Sequence, residues 1–227
     1  MLHTAHHETP IDPHAVPHGH HVSLDTGLDF INTLELEKGS WQDHLATPEA
    51  ALEWLIGHNL LHPDARRAEL ARIAPDAAYG EKLLAKVRRV RGAMRELVDA
   101  SVDRRPPARG ELAEVNRALR THYVTVLVPA PDGVTMGHRH EGDPIEGAMA
   151  RLTESIARYL GEGKIDRLRV CANESCSWTF FDSSRTGRRK WCDMTTCGNR
   201  AKAARHRERR KVAAVALAPG EASAPTI

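Results

Sequence analysis

The four cysteines of this 227-residue chain form two close pairs, Cys171 with Cys176 and Cys192 with Cys197, and each pair encloses four residues. Fifteen residues separate the pairs, which is enough chain for them to fold back on each other. Thiolates are preferred ligands of Zn²⁺, and two close pairs joined by a loop are typical of tetrahedral zinc sites. Four sulfur ligands leave no coordination position for water, so the pattern predicts one structural zinc ion and no catalytic metal.

Two other uses of four cysteines compete with zinc. An iron–sulfur centre also accepts four thiolates, although the two compact pairs differ from ferredoxin spacings. Disulfides belong to oxidising compartments, and nothing near Met1 resembles a signal peptide, because the first 21 residues contain seven histidines where an apolar segment would lie. No stretch approaches the ~18 apolar residues of a membrane span. We therefore expect a cytoplasmic protein with a zinc site and no membrane segment.

Basic residues concentrate around the same cysteines. From Cys171 to Lys211 there are 11 lysines and arginines against four aspartates and glutamates, whereas the whole chain has a net charge of +2, so the preceding part is acidic. Cations on a metal-ordered module can neutralise phosphates, and we expect nucleic-acid contact here, with a partner protein or plain solubility as the alternative. The candidate contact residues are Arg185, Arg188, Arg189, Lys190, Asn199, Arg200, Lys202, Arg205, Arg207, Arg209 and Arg210.

Two elements should present these cations. Residues 178–181 and 188–191 predict the two arms of a β-hairpin with a turn at Gly187. Trp178 and Trp191 are expected to pack inside the module, because about 40 residues need both a metal and bulky side chains to close a core.

A helix is predicted from Met194 onward, where strong helix formers follow one another without an apolar stripe. Asn199 and Arg200 are the best candidates for contact with base edges. For Asn199, capping of this helix is the preferred interpretation.

The preceding part predicts a mostly helical domain. Thr47-Pro48-Glu49 is a typical helix start, and the apolar spacing from Leu83 to Val98 predicts the longest helix. Pro131-Asp132-Gly133 predicts a turn between two strands, and Asp143-Pro144 begins another helix. The predicted fold class is therefore α+β, a mostly helical N-terminal domain with a small β element followed by a small zinc module.

This domain shows no glycine-rich phosphate loop and no recognisable catalytic triad, so we do not expect an enzyme. Asn32, His122, His138 and His140 could line a pocket, but single polar residues more often lie at the surface or are hydrogen-bonded in the core. An enzyme would need such groups to converge with carboxylates in a deep pocket.

Two segments resemble known families. Cys197-Gly198-Asn199-Arg200 and the preceding Arg188-Arg189-Lys190-Trp191-Cys192 resemble the CGNR zinc finger. The run from Leu28 to Leu34 and the helix start at Thr47 resemble the ABATE domain, which precedes that finger in bacterial stress-induced transcription regulators. The resemblance implies a treble-clef-like module, with the first cysteine pair on a knuckle and the second pair at a helix start.

These observations divide the chain into four parts. Residues 1–22 are a histidine-rich tail, for which disorder is expected and metal storage is the alternative. Residues 23–165 form an ABATE-like sensor domain, 166–212 the zinc finger with its basic helix, and 213–227 a second disordered tail.

The expected function combines the two ordered parts. A zinc-stabilised module would bind DNA, and the N-terminal domain would sense a small molecule or another stress signal, as the resemblance implies. Three alternatives remain: an RNA-binding module, a protein-interaction module, and an unrecognised enzymatic activity of the N-terminal domain.

Overall fold

The computed structural model describes residues 15–17, 22–37, 39–163 and 165–216. The helices in these ranges are α1 (Leu24–Asn32), α2 (Pro48–Gly57), α3 (Pro63–Ile73), α4 (Ala77–Val102), α5 (Arg109–Ala118), α6 (Pro144–Gly161) and α7 (Asn199–Ala216). The strands are β1 (Ala15–Pro17), β2 (Leu34–Glu37), β3 (Ser40–Asp43), β4 (His122–Ala130), β5 (Gly133–Glu141), β6 (Leu168–Val170) and β7 (Thr179–Phe181). This arrangement confirms the predicted α+β fold class.

Helix α4 is the centre of the N-terminal domain, because α1, α2, α3, α5 and α6 all pack against it. Its apolar residues recur every three or four positions, as predicted, and they form one buried face. That face consists of Leu83, Leu84, Val87, Val90, Met94, Leu97 and Val98.

Local capping explains where two surrounding helices begin. The Thr47 side chain accepts a hydrogen bond from the backbone N–H of Ala50 at 3.2 Å, and Pro48 occupies the first turn of α2. The Asp143 carboxylate likewise accepts from the N–H groups of Ile145 and Glu146 at 2.8 and 3.1 Å before α6. Both helix starts were predicted from the sequence.

Three small antiparallel sheets accompany the helices in the described residues. β4 and β5 form the predicted hairpin around Pro131 and Asp132, with Gly133 at a positive φ of 130°. β2 pairs with β3, and β6 pairs with β7.

The structure differs from the predicted tails at both ends. Residues 15–17 form β1, which pairs with β5 so that Ala15 lies opposite Arg139 and Pro17 opposite Gly137; a short edge strand tolerates proline because one side of it needs no partner. At the other end α7 continues to Ala216, since Ala-Ala-Val-Ala continues a helix of strong helix formers. Val22, the last residue of the predicted N-terminal tail, packs against the core. The other residues of the predicted tails, including the seven histidines, lie outside the described residues.

A buried ion pair joins α4 to the β2–β3 hairpin. Arg91 is only 4% exposed, and its guanidinium donates to both carboxylate oxygens of Asp43 at 2.7 and 2.9 Å. The same group donates to the Thr33 hydroxyl at 2.9 Å. Burial raises the pKa of Asp43, but the hydrogen bonds from Arg91 and the Leu45 N–H, together with the charges of Arg91 and Arg88, outweigh this effect, so the pKa lies below its ordinary value.

Replacing Asp43 with asparagine should destabilise the domain, because Arg91 then stays buried without its counter-charge. Loss of one partner of a buried pair costs about 3–5 kcal/mol, which urea unfolding at pH 7 would measure. Because the pKa of Asp43 is lower in the folded chain than in the unfolded chain, its stabilisation is complete above about pH 4 and is lost as the pH falls further. The difference between wild type and Asp43→Asn should therefore shrink in acid.

The matched control is Arg104→Ala, which breaks the exposed pair of Arg104 with Asp166. That substitution should change the free energy of unfolding by no more than about 1 kcal/mol. Equal effects of the two variants would contradict the importance assigned to the buried pair.

Candidate metal centre and basic helix

The four cysteine sulfurs lie together, each within 4.8 Å of the others. Sγ of Cys192 is 3.8 Å from Sγ of Cys176 and 3.7 Å from Sγ of Cys197. A regular tetrahedron with Zn–S bonds of ~2.3 Å has edges of about 3.8 Å, so these separations fit a single zinc ion. Sulfurs this close together enclose one ion and leave no room for a cluster of several iron atoms.

The strands β6 and β7 place the first cysteine pair. Cys171 follows β6 directly, and its backbone N–H donates to the carbonyl of Trp178 at 2.9 Å, which continues the ladder past the strand end. The chain turns between the strands with a hydrogen bond from the N–H of Cys176 to the carbonyl of Asn173 at 2.8 Å. This tight turn is the knuckle that the family resemblance implied.

A π-helical turn at Met194–Gly198 places the second pair at the start of α7. The Asp193 carboxylate caps this turn by accepting from the N–H groups of Thr195 and Thr196 at 2.7 and 2.8 Å. The Thr195 hydroxyl also donates to this carboxylate at 2.5 Å, and this hydrogen bond is the main reason why the pKa of Asp193 lies below its ordinary value. Cys197 is buried inside the turn, so the metal fixes the first residues of α7.

Electrostatics favour a bound cation at this cluster. Burial, together with the nearby Cys171, raises the pKa of Cys176 to about 11, and burial also raises the pKa of Cys192. Burial acts in the same sense on Cys197, but hydrogen bonds led by that from Asn173 outweigh it and lower its pKa. Four thiolates at this spacing need a divalent cation to offset their repulsion, so metal binding releases protons.

The predicted hairpin between residues 178–181 and 188–191 is wrong. β7 pairs with β6, so that Thr179 lies opposite Val170 and Phe181 opposite Leu168. The β-branched and aromatic residues of β7 pair with Leu168–Val170 because that strand offers more apolar contact than the cationic segment that follows Gly187.

A buried carboxylate orders that cationic segment instead. Asp182 is fully buried and accepts from the backbone N–H groups of Ser184 at 3.0 Å and Arg189 at 2.8 Å. Hydrogen bonding by Ser184 is the main reason why the pKa of Asp182 is low. The N–H of Ala172 also donates to the carbonyl of Lys190 at 2.8 Å, which joins the segment to the knuckle.

Arg189 differs from the other candidate cations because it is part of this framework. Its guanidinium lies 4.8 Å above the ring of the buried Phe180, donates to the carbonyl of Trp191 at 2.8 Å, and also donates to the carbonyl of Cys192. Trp191 packs against the cysteine cluster, as predicted. Arg189 therefore stabilises the module and is only partly exposed to a ligand.

The other basic candidates lie at the surface. Arg185, Arg188 and Lys190 are exposed on the segment between the cysteine pairs, and Arg200 and every residue from Lys202 to Arg210 are exposed on α7.

Asn199 is exposed but does not cap α7, so that interpretation is wrong. Its amide donates to the carbonyl of Thr195 at 2.9 Å, and the cap is Asp193, because a π-helical turn precedes the helix.

Sequence reasoning missed how tightly the module docks on the N-terminal domain. The side-chain amide of the buried Asn32, at the end of α1, donates to the carbonyl of Thr179 at 2.8 Å and accepts from its N–H at 2.9 Å. The Asn32 amide thereby forms with the Thr179 backbone the two hydrogen bonds that a neighbouring strand would form, on the edge of β7 that β6 does not cover. No periodic signal announces such a contact between residues 147 positions apart.

Three further contacts connect the same surfaces. The N–H of Leu36 donates to the Ser177 hydroxyl at 3.0 Å, and Arg95 of α4 donates to the Ser177 carbonyl at 2.5 Å. The Trp178 indole donates to Glu35, which shows that this tryptophan serves the interface. The module is thus fixed to α1, β2 and α4.

The predicted pocket residues do not converge on a catalytic group. Asn32 serves the interface, His122 is exposed, and the side chain of His138 lies outside the described residues. His140 lies within 3.2 Å of the Thr121 hydroxyl and lines a cleft that has no acidic residue among its described lining.

Asn173 should strengthen the zinc affinity without binding the ion, since its amide lies 3.4 Å from Sγ of Cys197 and can donate to that sulfur. Loss of such a supporting hydrogen bond typically weakens metal affinity by about 10–100-fold, so we expect Asn173→Ala to do this while one zinc still binds per chain. Competition with a chromophoric zinc indicator would measure the affinity. Glu174→Ala, at the exposed neighbouring position, is the control that should leave it almost unchanged.

Comparison with protein-family models matches residues 24–163 to ABATE, described as "Putative stress-induced transcription regulator", and residues 167–210 to the CGNR zinc finger. Comparison with curated proteins gives no match. No helix in the described part of the chain is long and apolar enough to cross a membrane. The family match and the sulfur geometry agree on one structural zinc ion bound by Cys171, Cys176, Cys192 and Cys197. The chain therefore belongs to the ABATE family, whose description is "Putative stress-induced transcription regulator", and carries a CGNR zinc finger at residues 167–210.

Proposed function

We propose that this protein regulates transcription by binding duplex DNA through α7 and the segment between its cysteine pairs, in response to a signal received by the N-terminal domain. The observation that carries the proposal is that the cations of α7 from Arg200 to Arg210 are exposed and form no ion pair with a carboxylate of the described residues. This helix starts at the zinc site and bears cations on all sides.

A helix that is polar on every side gains nothing from a core and is stabilised by its own propensity or by a partner. Among residues 199–211, seven are lysine or arginine and one is glutamate. With a rise of 1.5 Å per residue, the 18 residues of α7 extend for about 27 Å. The diameter of an α-helix fits the width of the major groove of B-DNA.

The zinc site gives the cations a fixed geometry. Arg200 lies in the first turn of α7, three residues after the buried ligand Cys197, and is the better candidate for contact with a base edge. The Asn199 amide already donates to Thr195, which leaves its carbonyl oxygen for a base donor. Arg185, Arg188 and Lys190 would contact phosphates beside the helix.

Docking on the N-terminal domain offers a route for regulation. Because Asn32 and Arg95 hold Thr179 and Ser177, which directly follow the knuckle, a shift of α1 or α4 would move the zinc site and the start of α7 with it. The acidic N-terminal part would also repel DNA phosphates and so favour an approach from the α7 side.

Replacing Arg205, Arg207, Arg209 and Arg210 together with alanine should weaken binding to mixed-sequence duplex DNA. Alanine is the best helix former, so α7 should persist, as circular dichroism can verify. The slope of log K against log salt, obtained from fluorescence anisotropy, should become shallower by about 0.9 for each phosphate contact that is lost.

Two controls accompany this measurement. Glu208→Ala removes the acid on the same helix and should tighten binding, while Arg109→Ala removes an exposed cation of the N-terminal domain and should have no effect. An unchanged salt slope in the fourfold variant would refute the assigned interface. Tighter binding to RNA than to duplex DNA would favour the RNA alternative.

Asn32→Ala tests the docking on which regulation depends. The substitution leaves the buried N–H and carbonyl of Thr179 unpaired, which costs about 1–3 kcal/mol for each group. Hydrogen exchange at the Thr179 amide should accelerate while the zinc content stays at one per chain. Unchanged exchange would show that the side-chain amide does not hold the two parts together.

A further inference from the structure

A cleft of about 370 Å³ opens on the N-terminal domain, far along α6 from the zinc module. The start of α3, the end of β5 and the first half of α6 enclose it. Its volume lies in the range of small-molecule sites, and leucines and prolines of its lining supply apolar contact area.

Arg151 of α6 is the unusual residue of this cleft. Its guanidinium donates to the carbonyl of Leu60, its Nε is buried without a hydrogen-bond partner, and it forms no ion pair with a described carboxylate. Burial lowers its pKa, which reflects the cost of keeping this cation away from water. By contrast, the partly buried Arg95 is paired with Asp99, at 2.9 Å.

The surroundings reinforce the positive charge. Arg139, His140 and His62 also line the cleft, and no aspartate or glutamate does so among its described lining. The neighbouring carboxylates are engaged elsewhere or with the other cations: Asp143 caps α6, Asp64 lies 3.2 Å from Arg67 and 3.5 Å from His62, and Glu141 lies 3.8 Å from Arg139. At Arg151, a negatively charged ligand would therefore meet a cation that no described carboxylate neutralises.

We propose that this cleft binds a small organic anion whose carboxylate or phosphate group pairs with the guanidinium of Arg151. An oxyanion would supply the counter-charge that the described residues do not provide to Arg151, and Arg139, which also lines the cleft, would strengthen the binding. The carbon skeleton of the ligand would lie against Leu61 and Pro144.

The position of the cleft gives the anion a route to the zinc module. Arg151 and Tyr159 both lie on α6, and the ring of Tyr159 packs edge-on against Phe181 of β7 at 5.5 Å between centroids. α6 also packs closely on α1, where a Cβ at Gly27 would collide with Ser155, and α1 ends at Asn32. The anion is therefore the signal of the regulator, and this clause alone rests on the proposed function.

The test uses the full zinc-loaded chain. Inorganic phosphate, glycerol 3-phosphate and succinate are titrated at millimolar concentration by calorimetry, with sodium chloride holding the ionic strength constant. At least one of the three should bind saturably. Arg151→Gln should weaken that binding by about tenfold to a hundredfold, because a charge-assisted hydrogen bond is lost.

Two further variants keep the outcome clear. Arg158→Gln removes an exposed cation of the same helix that pairs with Glu154, and it should bind the anion as the wild type does. Arg139→Gln should weaken binding to a smaller extent, which provides a test even if Arg151→Gln folds poorly. No saturable binding of any of the three anions, or equal binding by wild type and Arg151→Gln, would overturn the proposal.

Duplex DNA affinity measured with and without the bound anion separates this proposal from the proposed function. By linkage, an anion that changes DNA affinity must itself bind with an affinity that DNA changes by the same factor. Saturable anion binding by a chain that does not bind DNA would support the cleft and refute the DNA-binding function. DNA binding that the anion leaves unchanged would refute the signalling clause alone.

Discussion

The zinc tetrathiolate is the interaction on which the C-terminal part depends, because that part has almost no apolar core of its own. Its buried cluster consists of Cys171, Cys197 and Phe180, with Trp191 and the other two cysteines packed at the edge. So few apolar groups cannot offset the entropy of ordering about 40 residues, and the bond energy of the metal must contribute. Without zinc, four thiols would face one another at a spacing that suits only a bound ion.

The same constraint links the metal to both neighbours of the module. On one side, the knuckle carries Ser177 and Thr179 to the surfaces of α1 and α4, where side-chain groups of Asn32 and Arg95 complete its hydrogen bonds. On the other side, Cys197 sits in the turn that begins α7, so the direction of the cationic helix is set by the metal. Ordering the zinc site therefore orders both the surface that would meet DNA and the contact of the module with the N-terminal domain.

The sequence was most informative where structure is decided locally. The caps at Thr47 and Asp143, the apolar face of α4 and the cysteine spacing each act within a few turns of chain, and each prediction is confirmed. The prediction failed where groups far apart in the chain form hydrogen bonds with one another. Neither the pairing of β7 with β6 nor the contact of Asn32 with Thr179 leaves a periodic trace, and the cleft around Arg151 depends on three separate segments.

The central claim is that a zinc-ordered cationic helix binds duplex DNA. The most direct test compares the affinity of the zinc-loaded and the zinc-depleted chain for one mixed-sequence duplex over a range of salt concentrations. The account predicts salt-sensitive binding by the zinc-loaded chain and weaker binding after the metal is removed, because its cations then lack a common geometry. Equal affinity and equal salt slope in the two forms, or no binding by the zinc-loaded chain, would contradict it.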